Sequence, residues 1–240
     1  FPHMMLTAEP TETAFRYRRN VQPAVVLPFD GVSTRYTIGS KDTNGYLFLV
    51  GYHDKTIYME YQHSISDGRG FEEFIRCVLF QYLKNCGFPV ENDGSVRGMD
   101  TRWSPEESAN GYEQLADREF SPDGIWKKPE AVHAPEVQWG ADGSEVVTEV
   151  TFPFSQLHDY AKSIGVSPLS VLAPLMMKAF DDKFGGTDKP VIAEIPVDLR
   201  PLLPTLTTRY FICFIDLPYF PEYRDLPNDE VFRRTKAFLK

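Results

Sequence analysis

The stretch "YMEYQHSISDGRGFEEFIRCVLFQYL", Tyr58 to Leu83, gathers His63, Ser64, Ser66, Asp67, Gly68 and Gly70 into one short join. No other part of the chain is so dense in reactive side chains and glycines. Histidine changes charge near neutral pH, so a neutral imidazole can take a proton from a hydroxyl or amine as it attacks a carbonyl carbon. A helix starting beside it would offer backbone N–H groups to the developing oxyanion. Gly68 would let the backbone pass close to a substrate without a Cβ in the way. The plain structural alternative is a satisfied core histidine next to an ordinary capped turn. HxxxDG is short, and alone it does not decide between the two.

Other chemistries fit less well. His63 and Asp67 stand four apart across the join, while His3, His53, His133 and His158 are scattered with no HxxxH or HExxH spacing, so no metal site is expected. "SDGRGFEE" has two glycines but no lysine, and Glu72 and Glu73 would repel a phosphate from the helix start. A Ser/His/Asp triad remains open on residue types, but there is no GxSxG elbow.

The elements that must position His63 can be read around it. "AFRYRR", "STRYTIG", "YLFLVGYH" and "TIYMEYQHS" are rich in aromatic and β-branched residues and read as strands, with "HDK" at 53–55 closing a hairpin. On the second hairpin strand Ile57, Met59, Tyr61 and His63 share one face by the period of two, which points His63 inward. After "SISDG" the period changes. Phe71, Phe74, Ile75, Val78, Leu79, Tyr82 and Leu83 recur at three and four, an amphipathic helix capped by Ser66 or Asp67 and ended by Gly87.

From about Pro89 to Asp142 prolines, glycines and all three tryptophans (Trp103, Trp126, Trp139) interrupt the pattern, which reads as a long crossover. "EVVTEVTF" then reads as a strand, followed by a helix capped by Ser155 and a helix capped by Ser167 with Pro168 at its first position. "PVIAEIPVDL" and "YFICFIDLPY" read as strands, and Asn228 as the cap of a last helix.

Bulk properties narrow the function class. A chain of 240 residues, 42% hydrophobic, is long enough for one large domain or two lobes with a substantial core. A net charge of −9 argues against nucleic acid and anionic membranes as main partners. No apolar run is long enough for a transmembrane helix. Cys77, Cys86 and Cys213 are odd in number and lack CxxC spacing, so they read as buried thiols in a reducing, cytoplasmic setting.

"QHSISDGRGFEEFI", at the end of a hairpin strand and ahead of a long amphipathic helix, resembles the HHxxxDG motif of the chloramphenicol acetyltransferase-like superfamily. That superfamily includes condensation domains of nonribosomal peptide synthetases and alcohol acetyltransferases. Its second histidine falls on His63, its aspartate on Asp67 and its glycine on Gly68; Gln62 replaces the first histidine, as in members that keep a plain HxxxD. The segment from Leu157 to Tyr219 resembles the start of the family's second lobe, where a helix pair leads to a strand ending in an arginine. In family members that arginine pairs with the motif aspartate, and Arg200 in "VDLRP" holds the matching position. A lone buried carboxylate is costly, so a bidentate bond from Arg200 would neutralise Asp67 and lock the turn that aims His63.

The resemblance covers most of residues 1–220 and implies an α+β fold: a chloramphenicol acetyltransferase-like mixed-sheet sandwich with helices, in two lobes. Residues 1–142 would form the N-terminal lobe with the motif and the crossover, and 143–240 the first part of an incomplete C-terminal lobe. Two-lobed members are longer and carry a later DFGxG-type loop, so the chain reads as a fragment of such a protein. The implied reaction moves an acyl group from a coenzyme A or carrier-protein phosphopantetheine thioester to a small alcohol or amine. No permanently bound cofactor is expected; the thioester is a substrate, and a carrier protein is a candidate partner. In this reading His63 is the general base, Gly68 lies close to the reacting carbonyl, Asp67 and Arg200 form a structural salt bridge, and Ser64, Ser66 and Gln62 stand where they could assist. The two serines read first as turn and cap residues and only second as assisting groups. The rival hypothesis is a non-catalytic binding module with the same fold, which the replacement of the first motif histidine by Gln62 favours slightly.

Overall fold

The aromatic and β-branched residues before His63 build two small sheets. The computed structural model describes residues 1–30, 35–119, 126–134 and 149–239. In it β1 (Leu6–Pro10) pairs antiparallel with β2 (Phe15–Arg19), from Leu6 opposite Arg19 to Pro10 opposite Phe15. A mixed sheet has the order β3 (Val26–Pro28), β4 (Phe48–His53), β5 (Thr56–Tyr61), with β3 parallel and β5 antiparallel to β4. The β4–β5 hairpin turns at Asp54, whose φ of 49° is in the left-handed region that a short polar side chain tolerates. Helix α1 (Gly68–Asn85) follows, and Gly87, at φ 82°, lies just past its end. Two short 3-10 helices, Pro105–Ser108 and Gly111–Leu115, occupy part of the crossover. Then come α2 (Phe154–Ser163), α3 (Pro168–Phe184), β6 (Val191–Asp198), β7 (Ile212–Tyr219) paired with β6, and α4 (Asn228–Phe238). The fold is α+β.

The chain divides into two compact units, one of Phe1–Phe120 with Asp198–Cys213, the other of Ser121–Val197 with Phe214–Lys240. The first unit has a core of Met4, Tyr46, Leu47, Phe48, Ile65 and Phe71. The apolar stripe of α1 joins it through Phe71, with Phe74 and Ile75 half-buried against the same cluster. In the second unit Ala173, Met177, Val191, Leu217, Tyr219 and Val231 pack together, and Ala161, Val171 and Phe232 form a smaller cluster. No single helix among the described residues is long and apolar enough to cross a membrane.

Several expectations fail for identifiable reasons. The described part of "STRYTIG", residues 35–39, forms turns, with Tyr36 Oη donating to the Pro28 carbonyl and the Gly39 amide to that of Tyr46. β1 and β3 carry little periodic signal and were not expected. The first half of the strand read from "EVVTEVTF", residues 145–148, lies outside the described residues, and residues 149–152 are not in a strand. Pro153, not Ser155, precedes α2, and Pro227, not Asn228, precedes α4; neither offers a side-chain cap. Ser167 does cap α3, accepting from the Ser170 amide. The thiols are less buried than expected: Cys86 is exposed, and Cys77 and Cys213 are half-buried.

Candidate active site

β5 ends at Tyr61, and the chain turns at once. The Gln62 amide donates to the Leu47 carbonyl at 2.8 Å, and the Ile65 amide to the Gln62 carbonyl at 3.1 Å. Ile65 drops into the core at 2% exposure and anchors the turn from below. Leaving the strand breaks the period of two, so the imidazole of His63 is exposed, not turned inward as the alternation predicts. It is nevertheless framed. Tyr61 stacks on Phe71 at 3.9 Å between ring centroids, and the His63 ring lies 5.7 Å from Tyr61 and 5.5 Å edge-on from Tyr210. Among the described residues neither imidazole nitrogen makes a hydrogen bond or ion pair.

Asp67 is the opposite case. Its side chain is 1% exposed, and both oxygens are occupied. Oδ1 caps α1 by accepting from the Gly70 amide at 2.8 Å; Oδ2 accepts from the Phe211 amide at 2.7 Å and lies 3.0 Å from Nη2 of Arg200. The bridge is a single contact, not the bidentate fork expected from sequence. The rest of the guanidinium has other acceptors: Nε donates to the Thr207 carbonyl, Nη1 to Oδ1 of Asp198, and Nη2 to the Arg209 carbonyl. Arg200 thus holds the segment 207–211 in shape, while that segment and the arginine together satisfy the carboxylate. Charge-assisted bonds of this kind offset the cost of removing a carboxylate from water.

Ser66 is fully buried and donates to the Thr208 carbonyl at 2.7 Å, so its hydroxyl ties the turn to the same segment. Gly70 explains the second glycine of "DGRG": a Cβ there would lie 2.0 Å from the Thr208 oxygen. At Gly68, by contrast, a Cβ would meet nothing within 4 Å. Gly68 is exposed at the first position of α1, where first-turn amides have no intrahelical acceptor. Gln62 and Ser64 are exposed.

One participant carried no sequence signal. His3 is buried, with Nδ1 3.1 Å from Ser108 Oγ and Nε2 3.1 Å from Thr208 Oγ1. Burial, with the nearby positive charge of Arg209, pushes its pKa down to about 4, so it is neutral at pH 7. Tyr210 was also missed, since it lies at the edge of a segment read simply as a strand. The geometry is that of an exposed imidazole on a turn tied down at Gln62, Ile65, Ser66 and Asp67, just ahead of the start of α1.

No protein-family model matches the sequence, and no curated protein matches it. Solved structures do resemble it. The SgcC5 protein from Streptomyces globisporus, in complex with (R)-(-)-1-(2-naphthyl)-1,2-ethanediol and sucrose, superposes with a TM-score of 0.55 at 13% identity, over 99% of this chain and 59% of that one. A mutant of the starter condensation domain of rhizomide synthetase RzmA, in complex with C8-CoA, gives a TM-score of 0.52 at 14% identity, again over 99% and 59%. The chain has a condensation-domain fold. It spans about 59% of the length of these structures. At such low identity the likeness concerns the fold, and it agrees with the superfamily resemblance carried by the HxxxDG and "DLRP" segments.

Proposed function

We propose that the chain belongs to an acyltransferase that moves an acyl group from a thioester to an alcohol or amine, with His63 as general base. The observation that carries this reading is the exposed imidazole, with no bonded partner among the described residues, on a turn fixed by buried Asp67. The acceptor oxygen or nitrogen attacks the thioester carbonyl carbon as His63 takes its proton. Amides at the start of α1, beside the open face of Gly68, stabilise the oxyanion. Collapse of the tetrahedral intermediate re-forms the carbonyl, breaks the C–S bond, and returns the proton to the departing thiolate. Asp67 and Arg200 do no proton transfer; they hold the turn. Ser66, whose hydrogen is donated to Thr208, is structural as well. The C8-CoA complex of the neighbouring condensation domain supports a coenzyme A thioester as donor, with a carrier-bound phosphopantetheine thioester as the equivalent alternative.

The test supplies octanoyl-CoA with a panel of alcohols and amines and reads both free thiol and acylated product. His63→Ala is expected to lower transfer about 10²–10⁴-fold with the circular dichroism spectrum unchanged. Tight donor binding with no transfer to any acceptor, in the wild-type chain, would favour the non-catalytic module instead.

A further inference from the structure

An exposed histidine ring held by nothing hops among its staggered rotamers in picoseconds to nanoseconds, whereas a general base needs its nitrogen in one place. Hydrogen bonds do not hold the His63 ring among the described residues; two tyrosine rings stand against it, Tyr61 tilted at 48° and Tyr210 at 71°, edge-on. They are mounted differently. Tyr61 is the last residue of β5 and stacks on Phe71. Tyr210 is half-buried and its hydroxyl has no bonded partner among the described residues, so the backbone on either side sets where its ring lies.

That backbone is pinned largely from the crossover. Before Tyr210, the Thr208 amide donates to the Glu107 carbonyl at 3.0 Å and Thr207 Oγ1 to the Ala109 carbonyl at 2.7 Å. After it, the Phe211 amide donates to Asp67, and the Ile212 amide to Tyr112 Oη at 3.1 Å. The same Tyr112 hydroxyl donates to the Ile212 carbonyl at 2.5 Å, and a phenol can give one hydrogen and accept another at once. The Tyr112 ring lies 6.5 Å from that of Tyr210 and 5.1 Å, edge-on, from that of Phe211. Gly111 permits this approach, since a Cβ there would lie 2.7 Å from the Phe211 ring.

We infer that Tyr210 is a positioning residue: its ring, set in place by Tyr112 of the crossover, holds the His63 imidazole in one rotamer. The inference rests on the acyltransferase reading for its consequence in rate, but not for the rotamer itself. Neither tyrosine takes part in proton transfer. An edge-to-face ring pair favours one arrangement by about 2–10-fold. Without Tyr210 the imidazole keeps a single ring neighbour, Tyr61, and samples more than one rotamer.

NMR of the chain with isotope-labelled histidine measures this without turnover. The His63 signals are identified by their loss in His63→Ala, and side-chain vicinal couplings tell one rotamer from an average. Wild type is expected to hold one rotamer, Tyr210→Ala to average, and Tyr210→Phe to restore the single rotamer, because the ring and not the hydroxyl makes the contact. Tyr112→Phe keeps every ring, removes only the grip on Ile212, and should fall between. With octanoyl-CoA as donor, kcat should drop about 2–10-fold in Tyr210→Ala with KM unchanged, and recover in Tyr210→Phe. Should Tyr210→Ala not fold, Tyr210→Leu, which keeps apolar bulk, carries the same expectation. Averaging already present in wild type, one rotamer surviving in Tyr210→Ala, a phenylalanine variant as averaged as alanine, or an averaged ring with undiminished kcat would each overturn the inference. A rotamer lost in Tyr210→Ala and restored in Tyr210→Phe, with no acyl transfer even by wild type, would instead leave the positioning standing and remove the acyltransferase reading.

Discussion

The two ends of one turn, His63 and Asp67, are built on opposite terms. At Asp67 both carboxylate oxygens are bonded and the side chain is 1% exposed. At His63 the ring touches two tyrosines and its nitrogens have no bonded partner among the described residues. Ser66 and Gly70 belong with the aspartate, tied to or pressed against the Thr208 carbonyl; Gln62, Ser64 and Gly68 belong with the histidine, exposed. A reactive group must be reachable, so it cannot be fixed by bonds of its own. It is aimed by over-determining its neighbours, and substitutions at the two ends should therefore fail in different ways.

The largest effect is expected at the carboxylate. Asp67→Ala leaves the Phe211 and Gly70 amides without their acceptor and Arg200 without one of its partners. Breaking a buried pair from one side costs about 3–5 kcal/mol. Asp67→Asn keeps an acceptor oxygen for one of these donors and should cost clearly less. Urea unfolding measures both; an alanine variant within about 1 kcal/mol of wild type would mean that the bridge does not hold the turn.

Acid should weaken the buried end next. His3 is held neutral, with a pKa of about 4 against 6.5 in the unfolded chain. Above pH 6.5 both states bind no proton at this group and it adds no pH dependence. As pH falls from 6.5 towards 4 the unfolded chain takes up a proton that the folded state refuses, and roughly 3 kcal/mol of stability is lost. His3→Gln, which cannot titrate, should flatten that part of the stability curve. A slope identical in the variant would assign the loss to other groups.

The two glycines of "DGRG" sharpen the comparison further. Gly70→Ala drives a Cβ into the Thr208 carbonyl and should destabilise by about 1–3 kcal/mol despite the better helix propensity of alanine. Gly68→Ala meets open space and should be neutral or slightly stabilising in the same thermal melts. Equal effects at both would contradict the close approach at Gly70.

How much of this could be read from the chain depends on whether the determining contact is local. The change of period across "SISDG" places β5 and α1, and Asp67 is a legible N-cap because its acceptor role is local, three residues from Gly70. Arg200 was reachable only through a family motif, and its single-contact geometry could not be anticipated because three backbone and side-chain acceptors compete for the guanidinium. The His3–Thr208–Ser66 chain of bonds had no signature: its members are 205 and 142 positions apart, and each residue type is ordinary where it stands. The inward reading of His63 failed for a related reason. Alternation holds only while the strand lasts, and the strand stops at Tyr61.

The smallest effect on stability is expected at the residue with the largest effect on rate. His63→Ala removes an exposed ring that accepts and donates nothing within the described residues, and what it gives up is an edge contact with Tyr210 and a tilted one with Tyr61. Substitutions of this kind usually stay within about 0.5 kcal/mol. Tyr61 keeps its stack on Phe71, Ile65 keeps its place in the core, and the carboxylate network is untouched, so nothing that fixes the turn is lost. A melting temperature matching wild type, together with lost acyl transfer, would separate aiming from reacting in one variant. A drop in stability comparable to that of Asp67→Ala would show that the imidazole is itself part of the scaffold, and the contrast between the two ends of the turn would be gone.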